Sequence, residues 1–207
     1  EYTYDKVSNR IEKETTVKGD VTVLADTNLD EIEIIEGKTT YVYNALNQLL
    51  SEQSAGRTIT YTYDVNGNLI KQSGNKNVDY SYDKENHLLQ ATIHQGNSVT
   101  IESYTYDYEG NRTSKTINDN EKTLYVVDSS SGLSQVVAET DEAGKEIASY
   151  TLGEERISVE RAGEVCYYLY DGHGNVRGLA DEKGTITDRY SYDAYGNLLQ
   201  KDGTTEN

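Results

Sequence analysis

Hydrophobic and polar residues alternate with a period of two along much of this chain. In residues 58–64, TITYTYD, the apolar side chains Ile59, Tyr61 and Tyr63 fall on one face and the threonines on the other. Residues 78–82 repeat the pattern. Such alternation is typical of a strand with one buried face. The sequence therefore predicts an all-β fold.

The strand pattern belongs to a repeat of about twenty residues. A Tyr-x-Tyr pair followed by Asp or Asn starts at positions 2, 41, 61, 80, 104, 168 and 190, and the steps between starts are 39, 20, 19, 24, 64 and 22. The wide steps predict degenerate copies near residues 20–40 and 115–165, of which Tyr125-Val126-Val127-Asp128 is one. No linker interrupts the series, so we expect one repeat domain over residues 1–207, built from antiparallel β-hairpins in a curved or spiralling sheet.

A turn is predicted after each strand. A four-residue turn favours Asp or Asn first, where the short side chain accepts from the backbone ahead, and a residue tolerant of positive φ at the fourth place. The first place is Asp or Asn in all seven copies. The fourth place holds, in chain order, Ser8, Asn47, Gly67, Asn86, Gly110, Gly174 and Gly196.

These positions define a structural motif: two strand tyrosines, a turn aspartate and a turn glycine. Stacked repeats would cover the tyrosine rings of their neighbours. The motif residues are Tyr61, Tyr63, Asp64, Gly67, Tyr80, Tyr82, Asp83, Tyr104, Tyr106, Asp107, Gly110, Tyr168, Tyr170, Asp171, Gly174, Tyr190, Tyr192, Asp193 and Gly196.

Composition narrows the classes of partner. Hydrophobic residues make up 35% of the 207 residues, Phe, Trp, Met and Pro are absent, and 19 tyrosines suit half-buried β surfaces. A net charge of −17 argues against nucleic acid and anionic membranes as partners. The sequence has no apolar run of membrane-spanning length, so membrane insertion is not expected. A single cysteine, Cys166, excludes an internal disulfide.

The Asp-x-Asn-Gly-Asn stretch at residues 64–68, variants of which recur along the chain, invites a calcium hypothesis. An EF-hand loop needs oxygen ligands at places 1, 3 and 5, Gly at 6 and Glu at 12. Counting from Asp64 places Leu69 at 6 and Asn75 at 12, and the acidic stretch 26–31 places Glu31 at 6 and Gly37 at 12. Both fail, so we interpret the repeated Asp as a turn residue, with weak cation binding as the remaining alternative.

Other candidates for chemistry have simpler interpretations. His87 and His173 fall in turns, and His94 follows an apolar residue without metal-ligand spacing. Cys166, seven residues before His173, occupies the strand place of Ile59 in a sister repeat, which indicates a small core residue rather than a nucleophile. The carboxylates fall on turns and solvent faces. We therefore predict no catalytic, cofactor or metal site and no enzymatic activity.

The motif Tyr-x-Tyr-Asp-x-x-Gly-Asn-Leu resembles the YD repeat of RHS-repeat proteins. The C-terminal stretch YLYDGHGNVRGLADEKGTITDRYSYDAYGNLLQ, residues 168–199, and YTLGEERIS, residues 150–158, are similar to the final repeats of bacterial members. The family includes wall-associated and polymorphic toxins, shell components of toxin complexes, and teneurins. The resemblance implies a β-sheet coiled into a shell around a C-terminal cargo domain.

The resemblance also implies a set of partners and a location. We expect a non-enzymatic section of a β-shell whose partners are the remaining RHS repeats and the C-terminal cargo of a longer chain. That chain would be secreted or attached to the cell surface or wall. The alternative is an adhesion module that binds carbohydrate or protein, and exposed terminal strands would favour edge-to-edge self-association. The conserved segment that follows YDAYGNLLQ in the family, with its autocleavage motif, is not in this sequence, which suggests a fragment.

Overall fold

The chain is all β in the part that the structure describes. A computed structural model describes residues 1–15, 37–130, 132–193 and 196–205. The predicted all-β chain of repeated antiparallel hairpins is confirmed. Among these residues no helix is long and apolar enough to cross a membrane. The acidic stretch 26–31 and most of the expected degenerate copy near 20–40 lie outside the described residues.

Eighteen strands are described, and their bounds follow the alternating pattern of the sequence. They are β1 (Tyr2–Tyr4), β2 (Arg10–Thr15), β3 (Gly37–Tyr43), β4 (Leu49–Ser54), β5 (Arg57–Tyr63), β6 (Leu69–Ser73), β7 (Asn77–Tyr82), β8 (Leu88–Gln95), β9 (Ser98–Tyr106), β10 (Arg112–Ile117), β11 (Glu121–Asp128), β12 (Gln135–Thr140), β13 (Glu146–Leu152), β14 (Arg156–Arg161), β15 (Glu164–Tyr170), β16 (Val176–Ala180), β17 (Ile186–Tyr192) and β18 (Leu198–Asp202).

The described residues divide into two compact units. Unit 1 comprises residues 1–15, 37–105 and 116–121, and unit 2 comprises residues 106–115, 122–130, 132–193 and 196–205. In unit 1 the strands β1 to β9 pair antiparallel in chain order. In unit 2 the strands β11 to β18 do the same. Each unit is therefore a meander of hairpins.

One face of the unit 2 meander, which we call the core face, carries the best-buried side chains. Cross-strand partners such as Val159 and Cys166, or Tyr168 and Leu179, project from the same side of the sheet. Leu179 is 0% exposed. The cluster of buried residues consists of Ala148, Val159, Cys166, Tyr168, Leu179 and Tyr190. Cys166 is thus a small core residue, as predicted.

The predicted alternation in unit 1 is confirmed at the strands that suggested it. In β5 the side chains of Ile59, Tyr61 and Tyr63 are half-buried, and the threonines between them are exposed. In β7 Val78 is buried and Asp79 is exposed. Tyrosine rings thus share this face with aliphatic side chains, and their large area lets them cover neighbouring strands.

Candidate functional site

The turn after β5 shows how the repeated Asp is used. Oδ1 of Asp64 accepts hydrogen bonds from the backbone N–H groups of Asn66 at 2.9 Å and Asn68 at 2.8 Å. Its Oδ2 accepts from the side-chain amide of Asn68 at 2.9 Å. The backbone N–H of Gly67 donates to the carbonyl of Asp64, and the N–H of Asp64 donates to the carbonyl of Asn68. Both carboxylate oxygens therefore face nitrogen donors of the same turn.

The same five-residue geometry recurs through both units. The two backbone bonds, from the fourth residue to the first and from the first to the fifth, close a type I turn followed by a bulge. The strand register shifts beside these turns, as between Thr62 and Tyr63. Turns with both backbone bonds span residues 5–9, 44–48, 64–68, 83–87, 107–111, 141–145, 171–175, 181–185 and 193–197.

The fourth residue of each predicted turn has a left-handed backbone. Gly67 has φ +90°, where glycine has no steric penalty. Asn47 and Asn86 have φ +60° and +66°, and their side chains accept hydrogen bonds from an amide of a neighbouring turn, Asn9 in one case and Asn68 in the other. The sequence indicated positive φ at this place but gave no sign of these bonds between turns.

The fifth residue of the turn was not singled out from the sequence, although it completes the site. Asn111 and Asn175 donate from their amides to Oδ2 of their turn aspartates, both at 3.0 Å. In the turn that begins at Asn44 the direction of this side-chain bond is reversed, because the amide of Asn44 donates to Oε1 of Gln48 at 2.6 Å. The recurring Asn four places after Asp was the available signal.

Hydrogen bonding to the ionised form lowers the pKa of Asp64, Asp107 and Asp171. The side-chain amide of Asn68 is the main cause for Asp64, and Asn111 and Asn175 play the same part for Asp107 and Asp171. A catalytic acid needs the opposite shift, towards neutral pH. These three carboxylates are thus held as stable anions.

The second tyrosine of the motif connects neighbouring hairpins. The hydroxyl of Tyr63 donates to the carbonyl oxygen of Leu49 at 2.9 Å, and that of Tyr82 donates to the carbonyl of Leu69 at 3.0 Å. Tyr43 and Tyr170 make the same contact with Arg10 and Arg156. In each case the acceptor is the first residue of a strand in the preceding hairpin.

The first tyrosine of the motif lies deeper and meets charged groups. Burial, with the neighbouring carboxylate of Glu52 as a further cause, raises the pKa of Tyr61. In unit 2, Tyr150 occupies the equivalent place in a degenerate repeat. Its hydroxyl donates to Oε1 of Glu139 at 2.6 Å, and the guanidinium of Arg156 lies 4.1 Å from its ring centroid. This polar group could not be predicted from the sequence, because its members lie on three strands.

The remaining tyrosines of the motif also lie on strands and are half-buried or buried. Tyr80 and Tyr104 are half-buried, whereas Tyr168 and Tyr190 are buried. Tyr168 and Tyr170 stack with ring centroids 6.2 Å apart. Tyr106 and Tyr192 end β9 and β17, immediately before Asp107 and Asp193.

Two Asp turns, at residues 141–145 and 181–185, were not predicted from the sequence. Oδ1 of Asp141 accepts from the N–H of Ala143 and Lys145, both at 2.9 Å, and Gly144 has φ +78°. These turns join β12 to β13 and β16 to β17. They therefore lie at the opposite ends of the strands from the predicted turns of unit 2, 171–175 and 193–197. The Asp-x-x-Gly spacing alone would have found them, but alignment on the tyrosine pair did not.

Cys166 and His173, which the sequence analysis considered and rejected as a catalytic pair, lie apart in role: Cys166 is buried in the core and His173 is exposed at a turn tip. The structure does bring Asp83, Glu85 and His87 together, with one ligand atom of each lying within 4.8 Å of the others. Nδ1 of His87 lies 3.0 Å from Oδ2 of Asp83, where sister turns place an asparagine amide. The sister turns therefore explain this His as a turn-closing donor.

Comparisons with known proteins agree with the turn pattern. The sequence model described as RHS Repeat matches residues 43–78. A "tRNA3(Ser)-specific nuclease WapA" of Bacillus spizizenii is 30% identical over 208 aligned residues, and a "tRNA nuclease WapA" of Bacillus subtilis is 29% identical over 208. Both alignments cover 100% of this chain. This chain thus contains an RHS repeat at residues 43–78. It spans 8% of the length of each of these curated relatives.

Solved structures similar to this chain share little sequence with it. A crystal structure of TcdB2-TccC3 without its hypervariable C-terminal region aligns with 99% of this chain and 14% of that one, at 16% identity and a TM-score of 0.42. A Photorhabdus luminescens Tc holotoxin pore aligns with 98% of this chain and 13% of that one, at 17% identity and a TM-score of 0.40.

Asp64 gives the first test of the turn geometry. Asp64→Ala removes the acceptor of three hydrogen bonds and should lower the urea midpoint of unfolding. Asp64→Asn keeps the backbone acceptor, as Asn44 does in its own turn, and should lower it much less. Because folding lowers the pKa of Asp64, the ionised side chain stabilises the fold at pH values above the ordinary aspartate pKa of about 3.9. This stabilisation is lost as the pH falls through the lower pKa that Asp64 has in the folded chain.

Between pH 5 and pH 2.5, about 2.5 pH units around that pKa, the Asp64→Asn chain should therefore lose less folding stability than the unmodified chain. Glu182→Gln, which removes an exposed carboxylate elsewhere, is the matched control. An Asp64→Asn chain as acid-sensitive as the unmodified one would contradict the turn assignment.

Tyr63→Phe tests the bond between hairpins. The change keeps the ring but removes the donor to the Leu49 carbonyl, so the free energy of unfolding should fall by about 0.5–1.5 kcal/mol. Tyr108→Phe is the control, because Tyr108 is 94% exposed and should give no measurable change. Equal urea midpoints for the two variants would show that the Tyr63 hydroxyl does not stabilise the fold.

Proposed function

We propose that this chain is a non-enzymatic structural scaffold. In its parent protein it would form a section of an RHS-repeat β-shell that encloses or presents a C-terminal toxin or effector domain. The observation that supports this is that the side chains of the repeated motif make their hydrogen bonds to the fold itself. In turns such as 64–68 both carboxylate oxygens accept from the turn itself. Hydroxyls such as that of Tyr63 donate to a neighbouring hairpin.

The same turn in both units supports a second part of the proposal, that residues 1–207 act as one repeat domain. The remaining repeats of the parent chain would then pair with its terminal strands, and isolated edges would favour self-association. The relatives named as tRNA nucleases are far longer than this chain. We assign nuclease activity to parts of such proteins outside this segment. A secreted or cell-surface parent would fit the family resemblance.

A second candidate, a module that binds carbohydrate or protein, is favoured by one feature of unit 1. Three neighbouring turns carry apolar side chains into solvent, with Val7 64%, Leu46 77% and Val65 103% exposed. The turns are adjacent, since Asn9 bonds to Asn47 and Gln48 lies 3.4 Å from the ideal Cβ position of Gly67. Apolar groups exposed together suit a contact surface. Saturable binding on a glycan array would favour this candidate over the scaffold.

The scaffold proposal predicts that the purified 207-residue chain leaves tRNA intact. Cleavage would be followed by gel electrophoresis with and without divalent metal. His87→Asn is the matched variant, because it restores the asparagine of the sister turns and removes the Asp83, Glu85 and His87 grouping. Cleavage that follows the chain through purification and is lost in His87→Asn would overturn the proposal and place an active site at this turn.

A further inference from the structure

Asp188 is a buried carboxylate that belongs neither to a turn nor to a tyrosine contact described above. It lies in β17, opposite Leu179 of β16, and is 1% exposed on the core face of unit 2. A carboxylate at such a place destabilises the fold unless hydrogen bonds replace its lost water. Its partners therefore indicate what the position is for.

Both oxygens of Asp188 accept hydrogen bonds from one residue, Thr205. The backbone N–H of Thr205 donates to Oδ1 at 3.0 Å, and its hydroxyl donates to Oδ2 at 2.6 Å. The ammonium group of Lys201 donates to the carbonyl oxygen of Thr205 at 3.0 Å. Three bonds thus hold a residue that lies beyond the last described strand.

Gly203 makes the change of direction possible. Strand pairing between β17 and β18 extends to Arg189 and Asp202. Gly203, the first residue after β18, therefore lies opposite Asp188. Gly203 has φ +105°, and a Cβ there would collide with the Asp188 carboxylate and with the carbonyl oxygen of Thr187. A residue with a side chain would keep the chain away from β17, whereas glycine lets it turn towards the carboxylate.

We propose that Asp188 is a latch for the chain that leaves β18. It ends strand pairing at Gly203 and docks Thr205, so that the path of the chain beyond β18 is set by a buried carboxylate on the core face. The occupant is the segment 203–205, and the recognised chemistry is an N–H and O–H pair on one threonine. If the scaffold proposal above is correct, the latch also fixes the face from which a following domain would extend.

Amide hydrogen exchange measured by NMR on the 207-residue chain tests the latch. The N–H of Thr205 should exchange at least about tenfold more slowly than that of exposed Thr204, because it must first leave Asp188. Thr205→Val removes the hydroxyl bond and should speed exchange at that position several-fold. Thr204→Val, the matched control, should leave exchange at Thr205 unchanged.

A double-mutant cycle covers the case in which single variants perturb the whole unit. The effects of Asp188→Asn and Thr205→Val on the urea midpoint should be non-additive, whereas those of Asp188→Asn and Thr204→Val should add. Equal exchange at Thr204 and Thr205, or additivity in the first cycle, would overturn the latch. These readouts require no following domain, so their failure would leave the scaffold proposal standing, and tRNA cleavage would leave the latch standing.

Discussion

The structure depends on one recurring interaction, the acceptance of N–H bonds by the side-chain oxygen of an Asp or Asn at the first place of the repeated turns. In residues 64–68 this closes a tight turn with positive φ at Gly67, and it brings the flanking strands together at a fixed register. Because register decides which side chains share a face, the turn also decides where the tyrosines lie. The hydroxyl of Tyr63 can then reach the preceding hairpin. Turn, register and tyrosine contact form one unit.

Much of this was predictable because its determinants are local in sequence. Alternation gave the strands, and the Asp and Gly spacing gave the turns. Contacts between distant residues were not predictable in the same way. Tyr150 and Glu139 meet only because β12 and β13 pair, and Thr205 reaches Asp188 across 17 positions. The turn at 141–145 was missed for a different reason, since the tyrosine pair used for alignment is absent before it.

A chemical role for the repeated residues conflicts with how they are bonded. A carboxylate that binds a cation or transfers protons needs an oxygen available to its ligand, whereas the oxygens of Asp64 face amide donors. Substituting His87 at the fifth place changes the donor but keeps its contact with Asp83. The relatives named as nucleases share this segment as 8% of their length. The contacts of the repeated Asp and Tyr side chains are thus those that the proposed scaffold requires.

The most direct test of this account is the titration of the side-chain carboxyl carbons of Asp64, Asp107 and Asp171 by ¹³C NMR in the folded chain. Their turns donate to the ionised carboxylates, so all three pKa values should lie below the ordinary aspartate value of about 3.9. Midpoints at or above that value would contradict the account, because they would mean that the turns do not hold these carboxylates through hydrogen bonds.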